Sequence, residues 1–238
     1  MALPKPPVPT YELELPSTGK AIKYRPFLVK EEKLLLIATE TGDDKAMRDA
    51  IVEILKACIL TRGVKVEDLP MFDLEYVFLR IRSKSVGEVV EMIFTAKDDN
   101  DTKLPYKLNL EEVEVLKPEG HNKKVMLTDT AGLIMKYPSM EQFITSQILQ
   151  KEQTTEEVFD EIINCVEQIF DGDEVWEAKT TTKKDIKEYL EGLTSKQFEA
   201  IQKFFSTMPK VSHTFTLTNP NTGVDSEYTI EGLTNFFG

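Results

Sequence analysis

Hydrophobic and polar positions along the chain fall into stretches of strand period and stretches of helix period. YELEL and AIKYRPF alternate with a period of two and are joined by PSTGK, where Gly19 supplies the positive φ of a hairpin turn. Beyond Val29, the positions Leu34, Leu35, Ile37 and Ala38 predict a helix, and Thr41-Gly42 ends it. A second helix is predicted from about Asp44, because Met47, Ala50, Ile51, Ile54, Leu55, Cys58 and Ile59 recur at spacings of three and four. Gly63 stops it and Pro70 resets the chain. Leu74, Val77, Phe78 and Ile81 then mark one face of a third helix.

The period next returns to two. EVVEMIFTA and LPYKLNL flank the polar KDDNDTK, and VEVLK and KKVMLT flank PEGHN, so two consecutive hairpins are predicted, with LIMKYP as a further strand. Past Pro138, Thr154 and Glu157 make a capping pair ahead of Val158, Phe159, Ile162, Ile163, Val166, Ile169 and Phe170. This predicts one long amphipathic helix that ends at Asp171-Gly172-Asp173. After AKTTTKKD comes the helical IKEYLEGL, and Thr194 and Gln197 repeat the cap before Phe198, Ile201, Phe204, Phe205 and Met208, up to Pro209. The chain closes with a hairpin, TFTLTNPNTGVDSEYTI, and an aromatic tail.

The order of helix followed by Phe-Thr hairpin occurs twice. Phe94 and Tyr106 bracket the first polar turn, and Phe215 and Tyr228 bracket the second, which suggests a repeated helix-hairpin unit. The expected class is α+β, with two lobes of amphipathic helices and antiparallel hairpins. Residues 1–10 form an extended Pro-rich arm, 11–137 an N-terminal lobe, and 138–238 a C-terminal lobe.

Composition narrows the functions open to such a fold. A formal charge of −12 and a pI near 4.8 argue against broad nucleic-acid or anionic-membrane binding, while leaving room for a local basic patch. No apolar run approaches the roughly 20 residues that span a bilayer, and MALPKPPVPT lacks the apolar segment of a signal peptide, so a cytoplasmic protein is expected. Cys58 and Cys165 lie on apolar helix faces, as buried free thiols do.

Candidate chemistry is sparse. His121 sits in a turn and His213 begins a strand, neither beside a recognisable nucleophile. STGK lacks the upstream glycine and the strand-to-helix context of a phosphate loop. DGDE, Asp171 to Glu174, lacks calcium-loop spacing and is expected to be a solvated helix end. NPNTG has the shape of a Cys-Pro-x-Cys-Gly zinc knuckle, but Asn219 and Thr222 stand where thiolates would be, so a metal-free hairpin is expected. No catalytic, cofactor or metal residue is assigned.

Five stretches carry a resemblance: LPSTGKAIKYRPFLVKEEKLLLIA, FLRIRSKSVGE, QIFDGDEV, LTSKQFEAIQKFFSTMPKVSH and EGLTNFF. Long and collinear over nearly the whole chain, they resemble the baseplate hub assembly proteins of T-even-like contractile-tailed bacteriophages. The resemblance implies a non-enzymatic tail protein that helps assemble the central hub through contacts with other hub subunits. On the charge and sparse chemistry above, no nucleic acid, membrane or cofactor is expected, nor a small-molecule ligand. Such a protein works in the host cytoplasm during assembly or resides in the virion baseplate. The alternatives are a transient chaperone of hub subunits absent from the virion and, remotely, a small hydrolase with a dispersed active site. Relatives of this kind often carry cysteine pairs in the terminal hairpin, and this chain departs from that pattern at Asn219 and Thr222.

Two places are expected to meet a partner. At Tyr24, Arg25 and Phe27, an arginine held extended before Pro26 stands between aromatics, the composition enriched at interface hot spots. In the tail, Leu233 and one of Phe236 and Phe237 are expected to pack on the last hairpin, leaving the other Phe to a partner.

Overall fold

The computed structural model describes residues 6–139, 155–232 and 236. Among them are six helices and eleven strands in small antiparallel sheets, an α+β protein. The chain forms two compact units. Unit 1 comprises residues 1–116 and 210–238, and unit 2 is the intervening 117–209. This differs from the division expected near residue 137, for a reason no local pattern reveals. Strand β5 (Glu114–Leu116) pairs with the start of β10 (Lys210–Thr218), Leu116 opposite Lys210, so the chain re-enters unit 1 beside the point where it left.

Unit 1 opens with the hairpin β1 (Tyr11–Glu14) and β2 (Ala21–Tyr24), whose turn Gly19 closes at φ 67°. Helices α1 (Val29–Thr41), α2 (Asp44–Cys58) and α3 (Met71–Val86) follow. On α2 and α3 the faces read from spacing are the faces that pack, whereas on α1 Ala38 is buried but Ile37, expected beside it, is exposed. Ala50, Ile51, Ile54, Leu55 and Cys58 of α2 are buried, as are Leu74, Val77, Phe78 and Ile81 of α3. Burying a Leu, Ile or Phe side chain is worth roughly 1.5–3 kcal/mol, so these two stripes form the main apolar contribution of the unit.

Polar side chains fix how the hairpin and loops meet the helices. Asp73, buried in the first turn of α3, accepts from the Ser17 N–H at 2.9 Å and from its hydroxyl, which clamps the β1–β2 turn. Arg80 donates to the Leu110 and Val113 carbonyls at 2.6 and 2.8 Å, pinning the segment that leads into β5.

Two further hairpins complete unit 1. β3 (Val89–Thr95) pairs with β4 (Lys103–Asn109), and β10 pairs with β11 (Asp225–Glu231), giving a three-stranded sheet in the order β11-β10-β5. The hairpin expected across PEGHN does not form. β5 takes its partner from the far end of the chain, and β6 (Lys124–Met126) pairs with β7 (Ala131–Met135).

Unit 2 is a four-stranded antiparallel sheet, β6-β7-β8-β9, packed on three helices. The helices are α4 (Thr155–Cys165), α5 (Lys183–Glu191) and α6 (Ser195–Ser206). Reciprocal hydrogen bonds between Thr194 and Gln197 cap α6 as its sequence predicts. Thr154, expected to cap the preceding helix, lies outside the described residues. The single helix expected from Val158 to Phe170 is two elements. It stops at Cys165, and β8 (Val166–Asp171) turns through Gly172, at φ 58°, into β9 (Glu174–Glu177). Asp171-Gly172-Asp173 is therefore a hairpin turn and not a helix end. Val166 and Ile169 fit a helical stripe as well as a strand, and pairing with β7 and β9 on both sides decides the matter.

The β7–β8 contact depends on Gly132. Its Cα lies opposite Phe170, and a Cβ there would stand 2.6 Å from Phe170 Cζ and also collide with the Val125 carbonyl oxygen across the sheet. Gly132→Ala is therefore expected to destabilise the protein by about 1–3 kcal/mol through overpacking. Urea unfolding of the variant checks this, and a wild-type midpoint would show that the sheet opens there without cost.

Candidate functional site

The described residues include most of those expected to carry chemistry or contact. Tyr24 and Phe27, expected as partner contacts, are buried inside unit 1. Arg25 faces inward as well. Its guanidinium donates to Glu31 Oε1 at 3.0 Å, to the Pro26 carbonyl at 2.8 Å and to Cys58 Sγ at 3.6 Å. The side chains of Arg25 and Glu31 are only 14% and 6% exposed. Glu31 Oε2 accepts from the Leu28 N–H at 2.7 Å, and so satisfies a donor at the start of α1. The YRPF corner thus joins β2, α1 and the end of α2, with the Arg25 N–H bonded to the Cys58 carbonyl at 3.0 Å. Burial alone would raise the Glu31 carboxyl. Hydrogen bonds from Arg25, the Leu28 backbone and Lys30 outweigh that and hold it below the usual carboxylate range.

The NPNTG turn meets a partner that sequence reading did not supply. Phe94, Tyr106, Phe215 and Tyr228, the aromatics that bracket the two similar turns, pack against one another. Phe215 stacks on Tyr106 at 3.8 Å between centroids and meets Phe94 edge-on at 5.2 Å. Stacking the hairpins brings their turns together. Both turns close alike: the Asn100 N–H donates to the Ala96 carbonyl and the Gly223 N–H to the Asn219 carbonyl, with φ of 56° at Asn100 and 74° at Gly223.

Paired knuckles of this geometry would hold zinc with thiolates at 96, 99, 219 and 222, and those positions are Ala96, Asp99, Asn219 and Thr222. Hydrogen bonds take the place of ligands. The buried Asn219 amide donates to Asp98 at 3.0 Å and Asp99 at 2.9 Å, and the Thr222 hydroxyl donates to Asp98 at 2.6 Å. Hydrogen bonds from Asn219 and then Thr222 hold the Asp98 carboxyl low. Those from Thr102 and the Asp101 N–H do the same, more strongly, for Asp99. No group of three or more His, Cys, Asp or Glu side chains suited to a metal ion occurs among the described residues.

The histidines and cysteines are built into packing. His213 Nε2 lies 2.8 Å from the Tyr106 hydroxyl, at the end of the aromatic stack. His121 stacks on Tyr137 and Phe204, with Nδ1 2.9 Å from Thr207 Oγ1 and Nε2 3.0 Å from the Tyr137 hydroxyl. Thr207 already donates to the Lys203 carbonyl, so His121 Nδ1 carries the proton of that contact. Burial, then the charges of Lys117 and Lys123, push the His121 pKa down. Burial pushes the Cys58 thiol up to about 11 and the Cys165 thiol up to about 12. Of the expected tail contacts, Phe236 is fully buried, and Leu233 and Phe237 lie outside the described residues.

Two measurements follow. Arg25→Ala leaves the Glu31 carboxylate buried without its main partner and is expected to cost about 3 kcal/mol in urea unfolding. Folding lowers the Glu31 pKa, so its stabilising share is complete above the unfolded value and is lost as pH falls through the lowered folded value. Glu31→Gln should therefore show a shallower loss of stability between about pH 6 and pH 3 than wild type. An equal slope would remove Glu31 from the acid response.

For the hairpin junction, Asn219→Ala is expected to cost about 1 kcal/mol, because the buried amide's hydrogen bonds to the exposed carboxylates of Asp98 and Asp99 are lost and water can replace them there. A chelator is expected to leave the melting temperature of the wild-type protein unchanged. A stoichiometric zinc found by elemental analysis would contradict the hydrogen-bonded reading.

No curated protein and no solved structure matches the chain. The family model described as T4 bacteriophage base plate protein matches residues 8–238, nearly the whole length, and the chain therefore belongs to that family of phage baseplate proteins.

Proposed function

We propose that this protein acts in the assembly of the baseplate's central hub, through contacts with hub subunits and without catalysing a reaction. Membership of the family gives it a structural role in the tail baseplate, in association with other baseplate proteins. The finer assignment to the hub rests on the long collinear resemblance of stretches such as LPSTGKAIKYRPFLVKEEKLLLIA and LTSKQFEAIQKFFSTMPKVSH. The non-enzymatic reading draws support from the engaged histidines and from thiols whose raised pKa leaves them protonated near neutral pH.

One observation carries the contact role. Helix α1 packs on α2 yet leaves large apolar side chains in water: Val29 is 80% exposed, Leu36 59% and Ile37 48%. The buried residues of the same helix are Glu31 and Ala38, and Leu34 and Leu35 are half-buried, so Val29, Leu36 and Ile37 are not spent on the core of unit 1. A face of this kind, in a family that works by association, fits the apolar centre of a contact with a hub subunit. Among the described residues no helix is long and apolar enough to cross a membrane.

Leu36→Glu with Ile37→Glu is expected to leave the free energy of urea unfolding within about 0.5 kcal/mol of wild type, as exposed substitutions do, while reducing capture of hub subunits from infected cells by tenfold or more. Mass spectrometry of the captured material and of purified virions reads both the partner and its fate. Presence in mature particles identifies a resident hub component, and absence identifies a transient chaperone. Undiminished capture by the double variant would remove α1 from the contact.

A further inference from the structure

We propose that a lysine-rimmed recess on unit 2 is a docking site for an acidic segment of a partner protein, one in which a carboxylate stands beside an aliphatic side chain. The recess, of about 160 Å³, is lined by Gly120, Asn122, Val125, Met126 and Ala200 together with Lys124, Lys203, Phe204 and Thr207. Its floor is apolar and its rim is cationic.

Local charge favours an anionic occupant of the recess. The chain carries a net charge of −12, and several of its lysines are engaged with carboxylates, among them Lys23, Lys56, Lys84, Lys107, Lys187 and Lys210. The lining of the recess holds two lysines, Lys124 and Lys203, and no carboxylate. Among the described residues, Lys117, Lys123, Lys124 and Lys203 form no ion pair. Two of them are held over aromatic rings instead, Lys124 Nζ at 4.9 Å from the Phe170 centroid and Lys123 Nζ at 4.7 Å from that of Tyr137. A ring under an ammonium restricts the side chain without neutralising it, so less freedom is lost when an anion arrives.

His121 senses the same field. It stacks on Phe204 and bonds to Thr207, both lining residues, and the charges of Lys117 and Lys123 add to burial in disfavouring its protonation.

Size and surroundings choose the ligand class. A recess of this volume accepts a carboxylate and a short aliphatic group. A nucleic-acid strand needs a continuous basic groove and stacking platforms along several nucleotides, and the acidic remainder of the chain repels it. The inference rests on the reading that the protein works through protein contacts. Its test uses purified full-length protein, so failure here leaves the α1 experiment and the hub assignment untouched.

The probe is a fluorescein-labelled octapeptide alternating glutamate and leucine, compared with its lysine–leucine counterpart and with a single-stranded oligodeoxynucleotide of equal charge. Imidazole NMR signals report the location, because His121 adjoins the recess and His213 belongs to unit 1. Saturable binding of the acidic peptide is expected, with the His121 signals moving and those of His213 still. Lys124→Glu with Lys203→Glu should weaken binding by at least about tenfold, and Lys124→Gln with Lys203→Gln by less. Melting temperatures establish that the variants are folded, and the neutral pair decides the matter if the reversed pair is not. The proposal fails if His121 does not respond at saturating peptide or if folded variants bind like wild type. It also fails if the oligonucleotide binds as tightly and moves His121.

Discussion

The pairing of β5 with β10 is the constraint on which unit 1 depends. It joins residues 114–116 to 210–212, across all of unit 2, and no local contact substitutes for it. Closing a chain over so long a separation costs entropy, but the cost grows only as the logarithm of loop length. A folded unit 2 delivers both ends already constrained. Once β10 is seated, β11 pairs beside it and the last hairpin comes to lie against β3 and β4, where Phe94, Tyr106, Phe215 and Tyr228 stack.

From that stack follows the meeting of the two turns. Two knuckle-shaped turns with matching backbone hydrogen bonds face one another, and the chain joins them with Asn219, Thr222, Asp98 and Asp99. A metal would supply folding energy outright, whereas a hydrogen-bonded junction contributes on the order of 1 kcal/mol per bond. The aromatic stack beneath the turns must therefore carry more of the load than it would beneath a zinc site.

Interior electrostatics and surface electrostatics take different forms in this protein. Inside unit 1, Asp73 and Glu31 are each met by hydrogen-bond donors, and they fix the β1–β2 turn and the start of α1. Outside, some lysines pair with the abundant carboxylates, whereas Lys124 and Lys203 line a recess of unit 2 that holds no carboxylate. Apolar surface is likewise uneven, with α1 holding Leu36 and Ile37 in water while its neighbours α2 and α3 bury their stripes. Both departures occur on surfaces, where a protein that works by association carries its specificity.

The sequence by itself determined the class, the helices α1 to α3 and α6, the buried faces of α2, α3 and α6, and the local hairpins β1–β2, β3–β4 and β10–β11, because side-chain periodicity, caps and turn glycines act between near neighbours. It also singled out NPNTG as a knuckle without thiolates, though not the aspartates that answer it. Only the tertiary structure decided that β5 pairs with β10 and not with β6, that Val166 to Asp171 is a strand, and where the two units divide. An apolar run of that length suits a helix or a strand equally, and its neighbours choose. Arg25 shows the same limit at a single residue. Its extended backbone was legible from Pro26, but the inward turn of its side chain depended on Glu31 and Cys58 arriving from two separate helices.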